Sequence, residues 1–153
     1  MGKVLVSDAD FDVSAEIAAL RYDGSTGGIG CFVGVVRDAG PCSLAALQIE
    51  HYPGMTERAI SGMVEHAEAR FGLNACTVVH RYGRLKLGAQ IVLVLTASAH
   101  RAAALEATAF LMDWLKTEAP FWKCEHYADG RAHWVAARDE DHVATGKWFE
   151  NTK

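Results

Sequence analysis

The sequence predicts a single α+β domain over residues 1–153, and three observations lead to that prediction. Segments typical of strands and of helices are mixed along the chain, without the strict alternation that a parallel α/β sheet requires. Half of the residues are hydrophobic, which suffices for a substantial core and is atypical of disordered chains. The sequence also shows no internal repeat and no low-complexity linker that would divide it.

The predicted strands are short apolar or alternating runs that end near glycine, proline or polar residues. The runs at 29–37 and 44–52 are close in sequence, so we expect them to pair as a hairpin. The run at 90–97 is almost wholly apolar, which predicts a strand buried on both faces. A last hairpin is expected around Asp129 and Gly130. The full set of predicted strands is 3–7, 29–37, 44–52, 75–82, 85–87, 90–97, 121–127 and 132–136.

The helices are predicted from apolar spacing together with capping and breaking residues. Ser14 and Ser98 are expected to be N-caps, Gly72 to end the second helix, and Pro120 to stop the third and longest one. The predicted helices are 14–21, 55–71, 99–118 and a short terminal helix from 139. The expected buried faces are Ala59, Ile60, Met63, Val64 and Ala67 in the second helix, and Leu105, Ala109, Met112 and Leu115 in the third.

Composition argues against several classes of protein. A formal net charge of -4 argues against nonspecific binding to nucleic acid, which needs a basic face. The longest uninterrupted apolar run, 91–95, is too short to cross a bilayer, and no signal peptide is apparent, so we expect a cytoplasmic protein. The four cysteines are irregularly spaced without a Cys-x-x-Cys pair, and no metal motif is present, so neither a metal site nor a disulfide framework is predicted.

Both ends of the longest predicted helix carry candidate chemistry. His100 and Arg101 open it, where cations oppose the helix dipole, so they either bind an anion such as phosphate or lie solvated on an exposed turn. Lys116, in the last turn, either complements the dipole or shares a pocket with Lys123, which lies beyond Pro120. Two nearby cations and partial burial lower the pKa of a lysine, which suits a base or a nucleophile.

Strand ends supply further candidates. Arg37 ends an apolar run and points either into the same cleft or into water, whereas His80 is best explained as a hydrogen-bonded core histidine. Cys124 and His126 would share one face of a strand while Glu125 points to the other. That arrangement disfavours a cysteine nucleophile assisted by its neighbouring acid.

An ordered set of short segments spans nearly the whole chain. They are Gly34-Val35-Val36-Arg37-Asp38, Glu50-His51-Tyr52-Pro53-Gly54-Met55, His80-Arg81-x-Gly83, Ser98-x-His100-Arg101, Asp113-Trp114-Leu115-Lys116, Pro120-Phe121-Trp122-Lys123-x-Glu125, Asp129-Gly130, Trp134-Val135 and Arg138. Together they resemble the large, catalytic subunit of molybdopterin synthase, and the block around Pro120 is the most specific part.

The resemblance implies a fold, an activity and a partner. The fold would be an α/β hammerhead-like mixed sheet with packed helices and a small added antiparallel β subdomain. The activity would be sulfur transfer: two dithiolene sulfurs are inserted into cyclic pyranopterin monophosphate to give molybdopterin. The sulfur would arrive as the C-terminal thiocarboxylate of a small ubiquitin-like subunit ending in Gly-Gly, which we expect to be a separate chain. Two large subunits would form a central homodimer within a heterotetramer.

The resemblance also implies roles for individual residues. Lys116 and Lys123 match the two lysines of the family's active site and would both be catalytic residues: Lys116 the main acid/base or charge-stabilising group beside the thiocarboxylate, and Lys123 orienting substrate and intermediate. Cys124 stands where the family often has a basic residue, and Arg138 matches an arginine associated with the neighbouring subunit's pocket. No cofactor or metal is implied. The implied substrate contacts are Val35, Val36, Arg37, His100, Arg101, Lys116, Lys123, Cys124, Glu125 and Arg138.

Two functions of other kinds stay open. One is a pterin- or nucleotide-binding module without catalysis, which would bind ligand but form no dithiolene. The other is a lyase that uses a Schiff-base lysine, which borohydride would trap on Lys116.

Overall fold

The computed structural model describes residues 2–38 and 43–149. Within these ranges the chain forms eight strands and four helices. In chain order they are β1 (Lys3–Ser7), α1 (Val13–Ala19), β2 (Gly28–Val35), β3 (Leu44–His51), α2 (Met55–Phe71), β4 (Ala75–Arg81), β5 (Gly83–Lys86), β6 (Gln90–Ser98), α3 (Arg101–Thr117), β7 (Phe121–Tyr127), β8 (Ala132–Val135) and α4 (Asp139–Gly146).

The first sheet has the strand order β1-β4-β6-β2 and lies between helices. β1 is parallel to β4, and the other neighbours are antiparallel, so the sheet is mixed. Side chains from β4 and β6 pack against α2 and α3 on one face, and against α1 and its flanking residues on the other. Burial on both faces explains why the sequence of β6 is apolar without alternation.

The second sheet has the order β5-β3-β7-β8 and is wholly antiparallel. It has a small core of its own, formed by Val36, Leu44, Ile49 and Leu85. The predicted hairpin around Asp129 and Gly130 is present as β7 and β8. The expectation of an α+β fold, with a mixed sheet, packed helices and an added antiparallel β subdomain, is confirmed.

The predicted hairpin between the second and third strands is wrong. β2 is antiparallel to β6 in the first sheet, whereas β3 pairs with β5 and β7 in the second. The apolar residues of β3, such as Leu44 and Ile49, contribute to the separate core of the second sheet. Closeness in sequence therefore did not decide the pairing, because the two strands bury their side chains in different cores.

Two predicted helix caps are also wrong. The side chain of Asp12, not Ser14, caps α1 by accepting a hydrogen bond from the Ala15 N–H at 3.0 Å. Ser98 is the last residue of β6, and His100 occupies the N-cap position of α3. By contrast, Gly72 ends α2 in the left-handed conformation, as the sequence predicts.

The buried face of α3 differs in part from the predicted one. Leu105 is 61% exposed and Ala109 is also exposed, whereas Ala104 and Thr108 are buried. The cause is a close approach of β2 to the helix: a Cβ added at Gly30 would lie 2.6 Å from Thr108 Oγ1. Small side chains on α3 permit this close approach. The buried face of α3 is therefore rotated by about one residue position from the predicted apolar face. The predicted face of α2 is confirmed.

None of the helices in residues 2–38 and 43–149 is long and apolar enough to cross a membrane.

Candidate active site

A cavity of about 560 Å³ takes its walls from both sheets. The end of β2 and the residues after it, 32–37, form one side, and the C-terminal turn of α3 forms another. β7 and the segment 135–141, which leads from β8 into α4, complete the enclosure. The cavity therefore depends on elements that are far apart in sequence.

Lys116 and Lys123 both line this cavity. Lys116 lies in the last turn of α3, and Lys123 is the third residue of β7, beyond the turn at Pro120. The buried hydroxyl of Thr56 donates a hydrogen bond to the Pro120 carbonyl at 3.1 Å, which ties the turn to the start of α2. Because side chains alternate along a strand, Phe121, Lys123 and Glu125 all face the cavity.

The environment of Lys123 lowers the pKa of its amine toward neutral pH. Burial and, next, the positive charge of Lys116 lower its pKa from 10.5 to about 8, while the carboxylate of Asp141 acts in the opposite direction. An amine with a pKa near 8 exchanges protons readily close to neutral pH. Lys116 is more exposed and keeps its side chain near solvent.

The cavity carries an excess of positive charge. Four cationic side chains line it, Arg37, Lys116, Lys123 and Arg138, against the carboxylates of Glu125 and Asp141. Such an arrangement favours a compact anion such as a phosphate or a thiocarboxylate.

His80 lies in the wall of the cavity. It is only 2% exposed, stacks on Phe121 with ring centroids 3.8 Å apart, and its Nδ1 lies 2.8 Å from the Arg81 carbonyl oxygen. Burial and, next, the charge of Lys123 lower its pKa to about 3, so the imidazole is neutral. The interpretation of His80 as a hydrogen-bonded core histidine is confirmed, and its place beside the two lysines is an addition to it.

Helix α4 and Trp148, which follows it, are fixed to α3. The Trp148 indole N–H donates to Asp113 Oδ2 at 2.6 Å, and the Thr145 hydroxyl donates to the Asp113 carbonyl at 2.8 Å. The Thr117 and Thr145 hydroxyls are 2.8 Å apart. These contacts hold Asp141 in the cavity wall.

A model of the MoaE protein family matches residues 6–118. The chain belongs to the MoaE family. It is 50% identical over 147 residues to the molybdopterin synthase catalytic subunit of Rhizobium meliloti strain 1021, an alignment that covers 95% of this chain and 94% of that one.

Solved MoaE structures share the fold. The molybdopterin biosynthesis MoaE protein from Burkholderia ambifaria MC40-6 is 45% identical, with 97% of this chain and 98% of that chain covered, and the TM-score is 0.82. A chain from a protein-protein complex of subunits 1 and 2 of molybdopterin-converting factor from Helicobacter pylori 26695 shares the fold at 19% identity, with 90% of each chain covered and a TM-score of 0.65.

Most of the residues implied by the family resemblance meet in the cavity. They are Val35, Val36, Arg37, Lys116, Lys123, Glu125 and Arg138. Arg138, which the resemblance associates with a neighbouring subunit's pocket, lines the cavity of its own chain.

Three implied residues do not line this cavity. Cys124 is buried on the face of β7 opposite Lys123. His100 and Arg101 are exposed at the start of α3, and the fifteen residue steps from Arg101 to Lys116 make a helix length of about 22 Å. Within one chain, therefore, these two side chains do not approach the lysines.

Asp141 was missed by sequence reasoning. Its position depends on the docking of α4 against α3, which no local pattern reveals. Its carboxylate on the third residue of the helix was, from the sequence, an ordinary first-turn acid.

Within residues 2–38 and 43–149, no group of three or more His, Cys, Asp and Glu side chains is placed to hold a metal ion.

Proposed function

We propose that this chain is the catalytic subunit of a molybdopterin synthase. It inserts two dithiolene sulfurs into cyclic pyranopterin monophosphate, taking them from the C-terminal thiocarboxylate of a small ubiquitin-like carrier that ends in Gly-Gly. The observation that supports this most is the meeting of Lys116 and Lys123 in a positively charged cavity of a MoaE-family chain. We place the reaction in the cytoplasm.

Both reactants are anions, and the cavity offers cations to each. Arg37 and Arg138 line the same cavity as the lysines, and a guanidinium binds a phosphate or a thiocarboxylate through two hydrogen bonds at once. Val35 and Val36 precede Arg37 and supply apolar surface beside the pterin, while Glu125 offers an acceptor.

Lys116 and Lys123 have different chemical roles in the proposed reaction. Transfer of sulfur from an acyl group develops negative charge on the acyl oxygen, which the Lys116 ammonium stabilises. Protons move on the pterin side chain, and Lys123 exchanges them because its pKa is about 8. The sequence-based hypothesis named both lysines as catalytic, with Lys116 as the main acid/base or charge-stabilising group and Lys123 orienting substrate and intermediate; the lowered pKa favours Lys123 as the group that exchanges protons.

His100 and Arg101 serve substrate binding from a second copy of the chain. They lie too far from Lys116 along α3 to act within one protomer, so a homodimer must bring them to the neighbouring cavity. Arg101→Ala and Lys116→Ala chains, each inactive alone, are then expected to recover activity when mixed as heterodimers. If a verified heterodimer of the two variants remained inactive, that result would contradict this role.

Co-purification and a sulfur-transfer assay test the proposal. The chain is expected to retain a small Gly-Gly-ending protein and, with the thiocarboxylated form, to convert the cyclic pterin to a dithiolene. Lys116→Ala should lower the rate by at least about a hundredfold, as loss of a charge-stabilising group does. The exposed Lys86→Ala on β5 is the matched control and should leave the rate unchanged. Binding of the pterin without any dithiolene formation would instead indicate a binding module.

A Schiff-base lyase is the second candidate, and the lowered pKa of Lys123 favours it. Borohydride reduction in the presence of a carbonyl substrate would then attach the substrate covalently to Lys123. Mass spectrometry that finds no adduct on either lysine would reject the lyase.

A further inference from the structure

One ring nitrogen of His80 has no hydrogen-bond partner among the described residues. Its Nδ1 contacts the Arg81 carbonyl oxygen at 2.8 Å, and no other hydrogen bond of its ring is found among the described residues. The ring is 2% exposed and lines the cavity that holds Lys116 and Lys123. This second nitrogen is not one of the fully buried side-chain atoms without a partner in residues 2–38 and 43–149, so it is reachable from the cavity, and a ligand can supply the partner that it lacks.

The protein fixes which nitrogen carries the hydrogen. A carbonyl oxygen only accepts hydrogen bonds, so Nδ1 must be the donor toward Arg81. A neutral imidazole has one N–H, which leaves Nε2 as a bare lone pair. The low pKa of His80 supports the neutral form at every physiological pH. Stacking on Phe121 at an interplanar angle of 18° keeps the ring from turning.

This acceptor differs from the other polar side chains of the cavity. Arg37, Arg138 and the charged forms of Lys116 and Lys123 only donate hydrogen bonds, whereas the carboxylates of Glu125 and Asp141 accept them but carry negative charge. Nε2 of His80 therefore accepts a hydrogen bond without repelling an anionic ligand.

We propose that His80 Nε2 is a binding contact that accepts a hydrogen bond from an amide-type or ring N–H of a ligand in the cavity. The inference rests on the proposed function for the identity of that ligand. Two ligands of the reaction carry such donors: the reduced pterin, through its ring N–H and exocyclic amine, and the carrier's Gly-Gly tail, through its peptide N–H groups. A phosphate or thiocarboxylate group offers no such donor, so His80 contacts a part of the ligand that the cationic side chains of the cavity do not bind.

Nitrogen-15 NMR of the histidine rings tests the contact directly. In the free protein, His80 should give a protonated Nδ1 and a non-protonated Nε2, and the signal is assigned by its loss in His80→Gln. Adding either cyclic pyranopterin monophosphate or the carrier with an ordinary Gly-Gly carboxylate should shift the Nε2 resonance upfield. The ligand that causes the shift is the source of the donor. A protonated Nε2 in the free protein, or an Nε2 that neither ligand moves, overturns the proposal.

Affinity measurements provide an independent readout. His80→Phe keeps a ring against Phe121 but removes the acceptor, and it should weaken binding of the identified ligand about tenfold while leaving the other ligand's affinity unchanged. His80→Gln, which restores an acceptor, should recover part of that loss. The control is His66→Phe, since His66 is exposed and stacks on Phe110 outside the cavity. Equal weakening of both ligands would show a structural role and overturn the contact.

Failure of this inference can be told apart from failure of the proposed function. Dithiolene formation by a chain whose Nε2 does not shift with either ligand would overturn only the contact. Absence of dithiolene, with a shift caused by the pterin or by the carrier, would overturn only the synthase activity.

Discussion

Lys116 at the end of α3 and Lys123 in β7 line one cavity, and the charge of the first lowers the pKa of the second. Their proximity is unfavourable for the folded state at neutral pH, because two cations are held together and one of them is partly buried. A functional need explains such a local conflict better than a structural one does.

Replacing Lys123 with methionine should stabilise the protein while abolishing sulfur transfer. Its folded pKa, about 8, is below its unfolded value, 10.5, so ionised Lys123 opposes folding below pH 8, and the penalty vanishes as pH rises to 10.5. Removing it should add about 1–3 kcal/mol to the free energy of unfolding at pH 7, and the gain should shrink by pH 10. Urea denaturation at both pH values measures this. Lys86→Met is the control, and an equal gain there would show a general effect of lost surface charge.

The pH dependence of sulfur transfer should contain a limb near pH 8 that belongs to Lys123. Lys116→Gln removes a positive neighbour and should move this limb to higher pH, whereas Asp141→Asn removes a negative one and should move it to lower pH. Single-turnover rates between pH 6 and 10 measure both shifts. Asp139→Asn, on the same helix but outside the cavity, should leave the limb in place. Shifts of the two variants in the same direction would contradict the assignment.

Acid should destabilise the protein through His80. The folded pKa is about 3 and the unfolded value 6.5, so below pH 6.5 the unfolded chain binds a proton that the folded chain does not. This loss of folding stability is absent above pH 6.5 and grows as pH falls toward 3. Its slope is at most about 1.4 kcal/mol per pH unit. Denaturant unfolding at pH 7.5 and pH 5 should show a smaller acid loss in His80→Gln than in the wild type. Equal losses would mean that other groups control acid stability.

Trp148 should matter to both stability and catalysis. Trp148→Phe keeps the aromatic contacts with Phe71 and Phe110 but removes the hydrogen bond to the Asp113 carboxylate. The free energy of unfolding should fall by about 2 kcal/mol, because the bond involves a charged acceptor. The rate should also fall, since looser docking of α4 displaces Asp141 from the cavity. Val143→Ala, on the exposed side of α4, should change neither quantity.

Local sequence features predicted the bounds of the helices and strands better than they predicted how these elements pair and pack. The bounds of α2 and β7 agree with the pattern because apolar spacing, Gly72 and Pro120 act within a few residues. The pairing of β2 with β6 did not follow from the sequence, because many distant partners compete for a strand. Nor did the exposure of Leu105, since the close approach of Gly30 to α3 is set by the whole fold.

The residues of the candidate site also fall into two groups: those that the local sequence predicts and those whose position depends on the assembled fold. Lys116 and Lys123 are seven positions apart around a proline, so their convergence was predictable from the chain itself. The involvement of His80 and Asp141 was not, because their elements, β4 and α4, reach the cavity only through the packing of both sheets. The distance of His100 from the lysines follows from the length of α3, which the sequence did predict.

The composition of the cavity wall has a consequence for biosynthesis. All four strands of the first sheet lie before residue 99, so that sheet can assemble while the rest of the chain is still on the ribosome. Lys123, Arg138 and Asp141 emerge last, and the wall joins residues 32–37 to residues 135–141. A nascent or interrupted chain therefore has a nearly finished scaffold but lacks the cavity that holds both lysines. On the proposed function, we expect that such a chain cannot sequester the sulfur carrier, and that only chains completed through α4 compete for it.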